Sequence, residues 1–173
     1  QPLDFAGPVA GWPTWGGDAG GSRHSPLTQI TRENVANLEL VWSFHTGDVA
    51  DPGHTRGKSV FEATPILDGN TRYFGSPFNR VFALDAETGA QRWVFDPKVE
   101  IADLWQLTCR GVALWTDGAA PAGAACRKRI FTGTVDGRLL ALDAEDGALC
   151  RDFGENGSID LERGLGAVAP GEY

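Results

Sequence analysis

Hydrophobic and polar residues alternate along this chain in short runs broken by Gly, Asn and Asp-Gly pairs. That is the pattern of β-strands joined by tight turns, not of amphipathic helices. Leu40-Val41-Trp42-Ser43-Phe44 alternates as a strand. Val60–Leu67 reads as a strand ended by Asp68-Gly69-Asn70. Arg72–Gly75 and Val81–Asp85 flank a turn at Phe78-Asn79, and Gln91–Phe95 follows as a fourth strand. A second set comprises Gly111–Thr116, Ile130–Val135, Arg138–Asp143 and a fourth strand at Leu149–Phe153. Its central hairpin crosses Asp136-Gly137, a pair suited to a two-residue turn in which both positions take positive φ. Only Thr31–Leu38 reads as a helical turn or an extended turn, with Thr31 as a candidate cap.

The two sets are copies of one unit. Sliding Tyr73–Phe95 onto Phe131–Phe153 gives 10 identities in 23 positions, among them Gly75, Arg80, Asp85, Gly89 and Phe95. Ala83-Leu84-Asp85-Ala86-Glu87 returns as Ala141-Leu142-Asp143-Ala144-Glu145. Four-stranded units that repeat in this way are blades of a β-propeller; a lectin-like or plain sandwich is the alternative. The repeat also has a mechanical reading. Asp85 accepts bonds from the turn, Gly89 takes a left-handed conformation, and Trp93 opens the next strand with its indole free to lie between blades. Arg151 stands in place of Trp93 in the second copy, so that contact is lost or passes to Phe153. The expected organisation is all-β: a loop region and strand over 1–58, blades over 59–98 and 99–153, and an inter-blade segment over 154–173.

The 173 residues carry a net charge of −8, which argues against nucleic-acid binding, because a phosphate backbone needs a basic footprint. No apolar run approaches the ~20 residues of a membrane-spanning helix. Methionine is absent even from position 1, so Gln1 is not expected to be a translation start. Cys109, Cys126 and Cys150 form no CxxC or Cys/His cluster. They read either as buried small residues or as one disulfide with a thiol left over.

In a propeller the first strand of each blade lines the central channel, and charges there call for an explanation. Glu62 interrupts Val60–Leu67, and Arg110 opens the matching strand. Aligning the turns sets Arg110 opposite Phe61 and puts both charges at one end of adjacent inner strands. A carboxylate beside a guanidinium can hold an anionic ligand; a structural ion pair between blades explains the same spacing equally well. Thr132 and Thr134 can line a site or simply fill a strand. Asp85, Asp136 and Asp143 are expected to hold turns. His24, His45 and His54 have no ligand spacing. Gly16–Gly21 is glycine-rich but lacks the strand–helix setting of a phosphate cradle.

Several separate stretches resemble the N-terminal part of pyrroloquinoline quinone (PQQ)-dependent dehydrogenases, and within them the glucose and quinate branch. They are Trp15-Gly16-Gly17-Asp18 with Arg23-His24-Ser25-Pro26-Leu27, then Phe61-Glu62-Ala63-Thr64-Pro65-Ile66 and Pro77-Phe78-Asn79-Arg80-Val81. Arg92–Lys98, Thr108-Cys109-Arg110-Gly111-Val112 and Arg129-Ile130-Phe131 follow in the family's order. The resemblance implies an eight-bladed propeller with PQQ near its axis and calcium bridging cofactor and protein. It further implies oxidation of a sugar, cyclitol or alcohol outside the cytoplasm, in the periplasm, with electrons passed to a quinone or a cytochrome. Membrane association would come through segments outside these residues. It marks Glu62 and Arg110 as cofactor contacts, with Thr134 as a third, and places the catalytic aspartate and the calcium ligands outside this chain. A non-enzymatic scaffold or a truncated remnant is the rival. Leu104-Trp105 stands where the alcohol branch has adjacent cysteines, and Gln106 where the sugar branch has a histidine.

Overall fold

A computed structural model describes residues 11–50 and 58–166. Its core is two four-stranded antiparallel sheets. The first runs β2 (Ile66–Asp68), β3 (Thr71–Gly75), β4 (Val81–Asp85) and β5 (Gln91–Phe95) in order. The second runs β7 (Ala113–Thr116), β8 (Lys128–Gly133), β9 (Arg138–Asp143) and β10 (Ser158–Asp160). A separate parallel pair joins β1 (Lys58–Phe61) to β6 (Gln106–Cys109).

The repeat is reproduced turn by turn. Ser76 O accepts the Asn79 N–H and Arg80 O accepts the Ser76 N–H; Thr134 O and Arg138 O do the same for Gly137 and Thr134. Asn79 (φ 59°) and Gly137 (φ 72°) hold the same left-handed position. Asp136 does not join Gly137 at positive φ. The Asp-Gly hairpin is therefore a type I turn closed by a glycine bulge rather than the expected two-residue turn. The outer turns also match: Asp85 O accepts the Gly89 N–H at 2.9 Å, and Asp143 O the Gly147 N–H at 2.9 Å.

Three expected strands differ. Val60–Leu67 splits, because Pro65 lacks an N–H for continuous pairing; its first part joins β6 and only Ile66–Asp68 joins the blade. Leu40–Phe44 pairs with no strand among the described residues, although Trp42 and Phe44 pack on Phe74, Phe82 and Leu84. The fourth strand of the second blade lies at Ser158–Asp160, not at Leu149–Phe153. Leu149 makes a single bridge to Leu142 before the chain leaves the sheet, and Gly157 closes that excursion against Leu149. Thr31–Leu38 contains one 3-10 turn, Val35–Asn37, whose N-cap is Asn34 and not the expected Thr31; Thr31 Oγ1 accepts the Glu33 N–H ahead of the turn.

The blades share one core. Ile66, Tyr73, Val81, Ala83 and Trp93 from the first meet Val112, Ile130, Leu142 and Ala144 from the second. Ala144 O accepts both the Tyr73 hydroxyl (3.0 Å) and the Trp93 indole N–H (3.1 Å), so neither buried polar group goes unpaired. Asn79 Oδ1 accepts the Val135 N–H at 2.7 Å, and Lys128 pairs with Asp68 across the seam.

The two ends of the blades are unlike. At one end the strands are joined by the tight turns at Asp68, Asp85 and Asp143. At the other, long segments lead into β2 and β7 and carry β1 and β6. Antiparallel order brings Glu62, Arg110 and the hairpins Ser76–Arg80 and Thr134–Arg138 to that elaborated end.

Candidate functional site

The parallel β1–β6 pair explains how Glu62 and Arg110 meet. Phe61 is level with Cys109, so the next residue on each strand is level too: Glu62 beside Arg110. The expected alignment was off by one residue, because the charges meet on this parallel pair and not on the first strands of the blades. Arg110 Nε lies 3.6 Å from Glu62 Oε2, with the side chains 82% and 37% exposed. An ion pair so exposed contributes at most about 1 kcal/mol to stability.

The backbone under Arg110 is held firmly. Its carbonyl accepts the Thr64 N–H at 3.2 Å. Cys109, buried beside it, packs on bare Gly75, where a Cβ would come within 2.2 Å of the sulfur. Burial pushes the Cys109 thiol above its ordinary range, which keeps it protonated and unreactive. The result is an exposed cation on a firmly held stretch of backbone, with Glu62 beside it.

Thr134 is buried in the β8–β9 turn. Its hydroxyl accepts the Arg138 N–H at 3.2 Å and also bonds Asp136, so it holds the turn. The Thr134–Arg138 hairpin lies at the same end of the blades as Arg110. Thr132 is buried, with its hydroxyl near Gly133 O. Asp85, Asp136 and Asp143 serve turns, as expected. His24 and His45 are exposed, and His54 lies outside the described residues.

Other features of this end were not read from the sequence. Ser76 Oγ and Thr108 Oγ1 are buried without a hydrogen-bond partner among the described residues. Trp15, from the N-terminal loop, lies against Gly111 and lines a groove of about 430 Å³ with Arg110. No group of three or more His, Cys, Asp or Glu side chains placed to hold a metal ion occurs among the described residues. Nor is any helix there long and apolar enough to cross a membrane. Away from the site, Cys126 and Cys150 form a disulfide with Cα atoms 5.7 Å apart, which resolves the two cysteine readings in favour of one bridge and one free thiol.

The family described as PQQ: Glucose/ethanol/alcohol dehydrogenase, beta-propeller domain matches residues 12–173. This chain belongs to that family. It is 40% identical to the quinate/shikimate dehydrogenase (quinone) of Acinetobacter baylyi, an alignment covering 95% of this chain and 22% of that protein. It is also 40% identical to the quinoprotein glucose dehydrogenase of Escherichia coli, over 99% of this chain and 22% of that protein. Among solved structures, quinohemoprotein alcohol dehydrogenase from Comamonas testosteroni superposes with a TM-score of 0.65 at 28% identity, covering 92% of this chain and 20% of that one. The chain thus spans about a fifth of the length of these relatives. The matches bear out the all-β, partial-propeller reading and the resemblance to PQQ-dependent dehydrogenases.

Proposed function

We propose that these residues form part of a PQQ-dependent dehydrogenase that oxidises a sugar, cyclitol or alcohol hydroxyl and passes electrons to a quinone or a cytochrome. The observation that carries this reading is Arg110, an 82% exposed guanidinium on a fixed backbone beside the Glu62 carboxylate. PQQ is a planar ortho-quinone bearing three carboxylates. A guanidinium donates in-plane to carboxylate and quinone oxygens in a way that a lysine does not. Glu62 supplies the complementary acceptor and holds the Arg110 head in place. The partnerless Ser76 and Thr108 hydroxyls fit the same account, since a buried polar group needs a partner. Thr134, at the same end of the blades, is the third candidate contact.

Bound PQQ supplies the two-electron oxidation; the protein binds and orients it. Calcium, typical of the family, would draw its ligands from outside this chain. The Cys126–Cys150 disulfide supports a periplasmic location, because such bridges persist in oxidising compartments. The polypeptide 1–173 alone is expected to be inactive. The quinate and glucose enzymes named above favour a polyhydroxylated substrate, and an exposed Arg110 with a single carboxylate partner is not something a protein-binding scaffold requires.

The test is dye reduction by the purified source protein, with and without added PQQ, over glucose, quinate and simple alcohols. The reading predicts PQQ-dependent turnover of at least one of them. Turnover that ignores PQQ, or none with any hydroxyl substrate in its presence, contradicts it. Activity from 1–173 alone would contradict the expected inactivity.

A further inference from the structure

The β1–β6 pair that leads into Glu62 and Arg110 belongs to neither blade, so separate contacts have to hold it to them. Downstream of Glu62 the Thr64 N–H bonds Arg110 O at 3.2 Å. The Phe61 ring meets Phe74 edge-on, with centroids 5.8 Å apart. Upstream the tie is Ser59. Its Oγ accepts the Ala50 N–H at 3.1 Å and donates to Asp48 O at 3.3 Å. Glu62 follows three residues later, about 10 Å along an extended chain.

Asp48 is fixed from its other side by the first blade. Gly47 turns the chain at positive φ (77°), the Asp48 N–H bonds Thr46 Oγ1 at 3.2 Å, and the Asp48 carboxylate is fully buried. Oδ2 accepts the Phe78 N–H at 2.8 Å, and Oδ1 pairs with Arg80, whose guanidinium also donates to Thr46 O. Phe78 and Arg80 belong to the β3–β4 hairpin. Their neighbour Asn79, itself buried, accepts the Val135 N–H of the second blade at 2.7 Å. Asp48 therefore joins three pieces that share no sheet: the Thr46–Ala50 segment, the β3–β4 hairpin and, through Ser59, β1.

A buried ion pair is a poor device for stability alone. Desolvating both charges offsets most of their attraction, and an apolar pair of similar size does as well. What the charges add is direction, since Asp48 accepts from Phe78 and Arg80 at set angles where apolar side chains would slide. We infer that Asp48 and Arg80 are positioning residues for the cofactor site, holding β1 through Ser59 at the height that sets Glu62 beside Arg110. The inference rests on the cofactor reading above, and neither residue is assigned a contact with PQQ.

The test uses the purified source protein with calcium, and reads PQQ affinity by absorbance titration well below the melting temperature of each variant. The Asp48→Asn, Arg80→Met double variant leaves no charge unpaired and is expected to bind PQQ about fivefold more weakly than wild type. The decisive comparison repeats it in a Glu62→Gln background. If the pair acts by placing Glu62, the same double substitution there changes affinity by less than about 1.5-fold, whereas a general loosening of the fold acts alike in both backgrounds. Ser59→Ala removes only the linking hydroxyl. It is expected to weaken binding about threefold, again only when Glu62 is present, and it decides the matter if the double variant does not fold. Equal effects in both backgrounds, or wild-type affinity in either Ser59→Ala or the double variant, overturn the inference and leave the cofactor reading standing. So does normal binding by Glu62→Gln when Arg110→Gln binds weakly. If the wild type does not bind PQQ, or Arg110→Gln leaves its binding unchanged, the cofactor reading falls and this inference with it.

Discussion

The indole of Trp42 lies directly over Gly89: a Cβ built on that glycine would come within 2.6 Å of the ring. Trp93 stands in the same relation to Gly147, where a Cβ would come within 2.7 Å. Both glycines close an Asp-initiated turn at positive φ (71° and 77°). The tryptophan–glycine contact is therefore the joint of the repeat, made once from Leu40–Phe44 and once from β5.

Gly147→Ala forces the Trp93 ring off its seat and puts a Cβ on a left-handed residue. It should cost about 2–3 kcal/mol, through overpacking and backbone strain together. Glu145→Ala, exposed in the same turn, should cost less than about 0.5 kcal/mol. Urea titration of both variants checks the contrast.

Asp48 has a fully buried carboxylate that accepts the Phe78 N–H at 2.8 Å and pairs with Arg80. Replacing Arg80 with Met leaves that charge buried and short of its partner. The expected loss is about 3 kcal/mol, seen as a lower denaturant midpoint, with much of it recovered in the Asp48→Asn, Arg80→Met double variant.

Asp85 is held at a pKa of about 2, first by Arg92 and then by the Thr88 N–H and hydroxyl. Its folded pKa lies below the ordinary 3.8, so its contribution is present above pH 3.8 and is lost as pH falls toward 2. Asp85→Asn should be less stable than wild type at neutral pH, and the gap should narrow over that acid window. Melting curves taken between pH 5 and pH 2 test the sign.

The Cys126–Cys150 bridge closes a 24-residue separation and ties the loop before β8 to the point where the chain leaves the sheet. Replacing both cysteines with serine should cost about 3 kcal/mol. It should also loosen β10 first, which hydrogen exchange at Ser158–Asp160 would report.

Much of this was legible in the sequence, for local reasons. The hairpins follow from Asn79, Gly137, Gly89 and Gly147, whose backbone requirements are written in residue type. Glu62 stood out because it interrupts an apolar run, and Arg110 because it opens the matching one. What stayed hidden depends on distant partners. Nothing local to Lys58–Phe61 reveals that it pairs with Gln106–Cys109. Nothing near Leu149 announces that a disulfide and Gly157 carry the outer strand on to Ser158. Trp15 read as loop because Gly111, which it contacts, lies in the other blade.

The most direct measurement is an absorbance titration of the purified source protein with PQQ in the presence of calcium, comparing wild type with Arg110→Gln. Loss of a charge-assisted bond of about 1.5–3 kcal/mol should weaken binding by about tenfold to a hundredfold while the melting temperature holds, given how little the exposed Glu62–Arg110 pair adds to the fold. Equal PQQ affinity in the two proteins would contradict the account and return Glu62 and Arg110 to a surface ion pair.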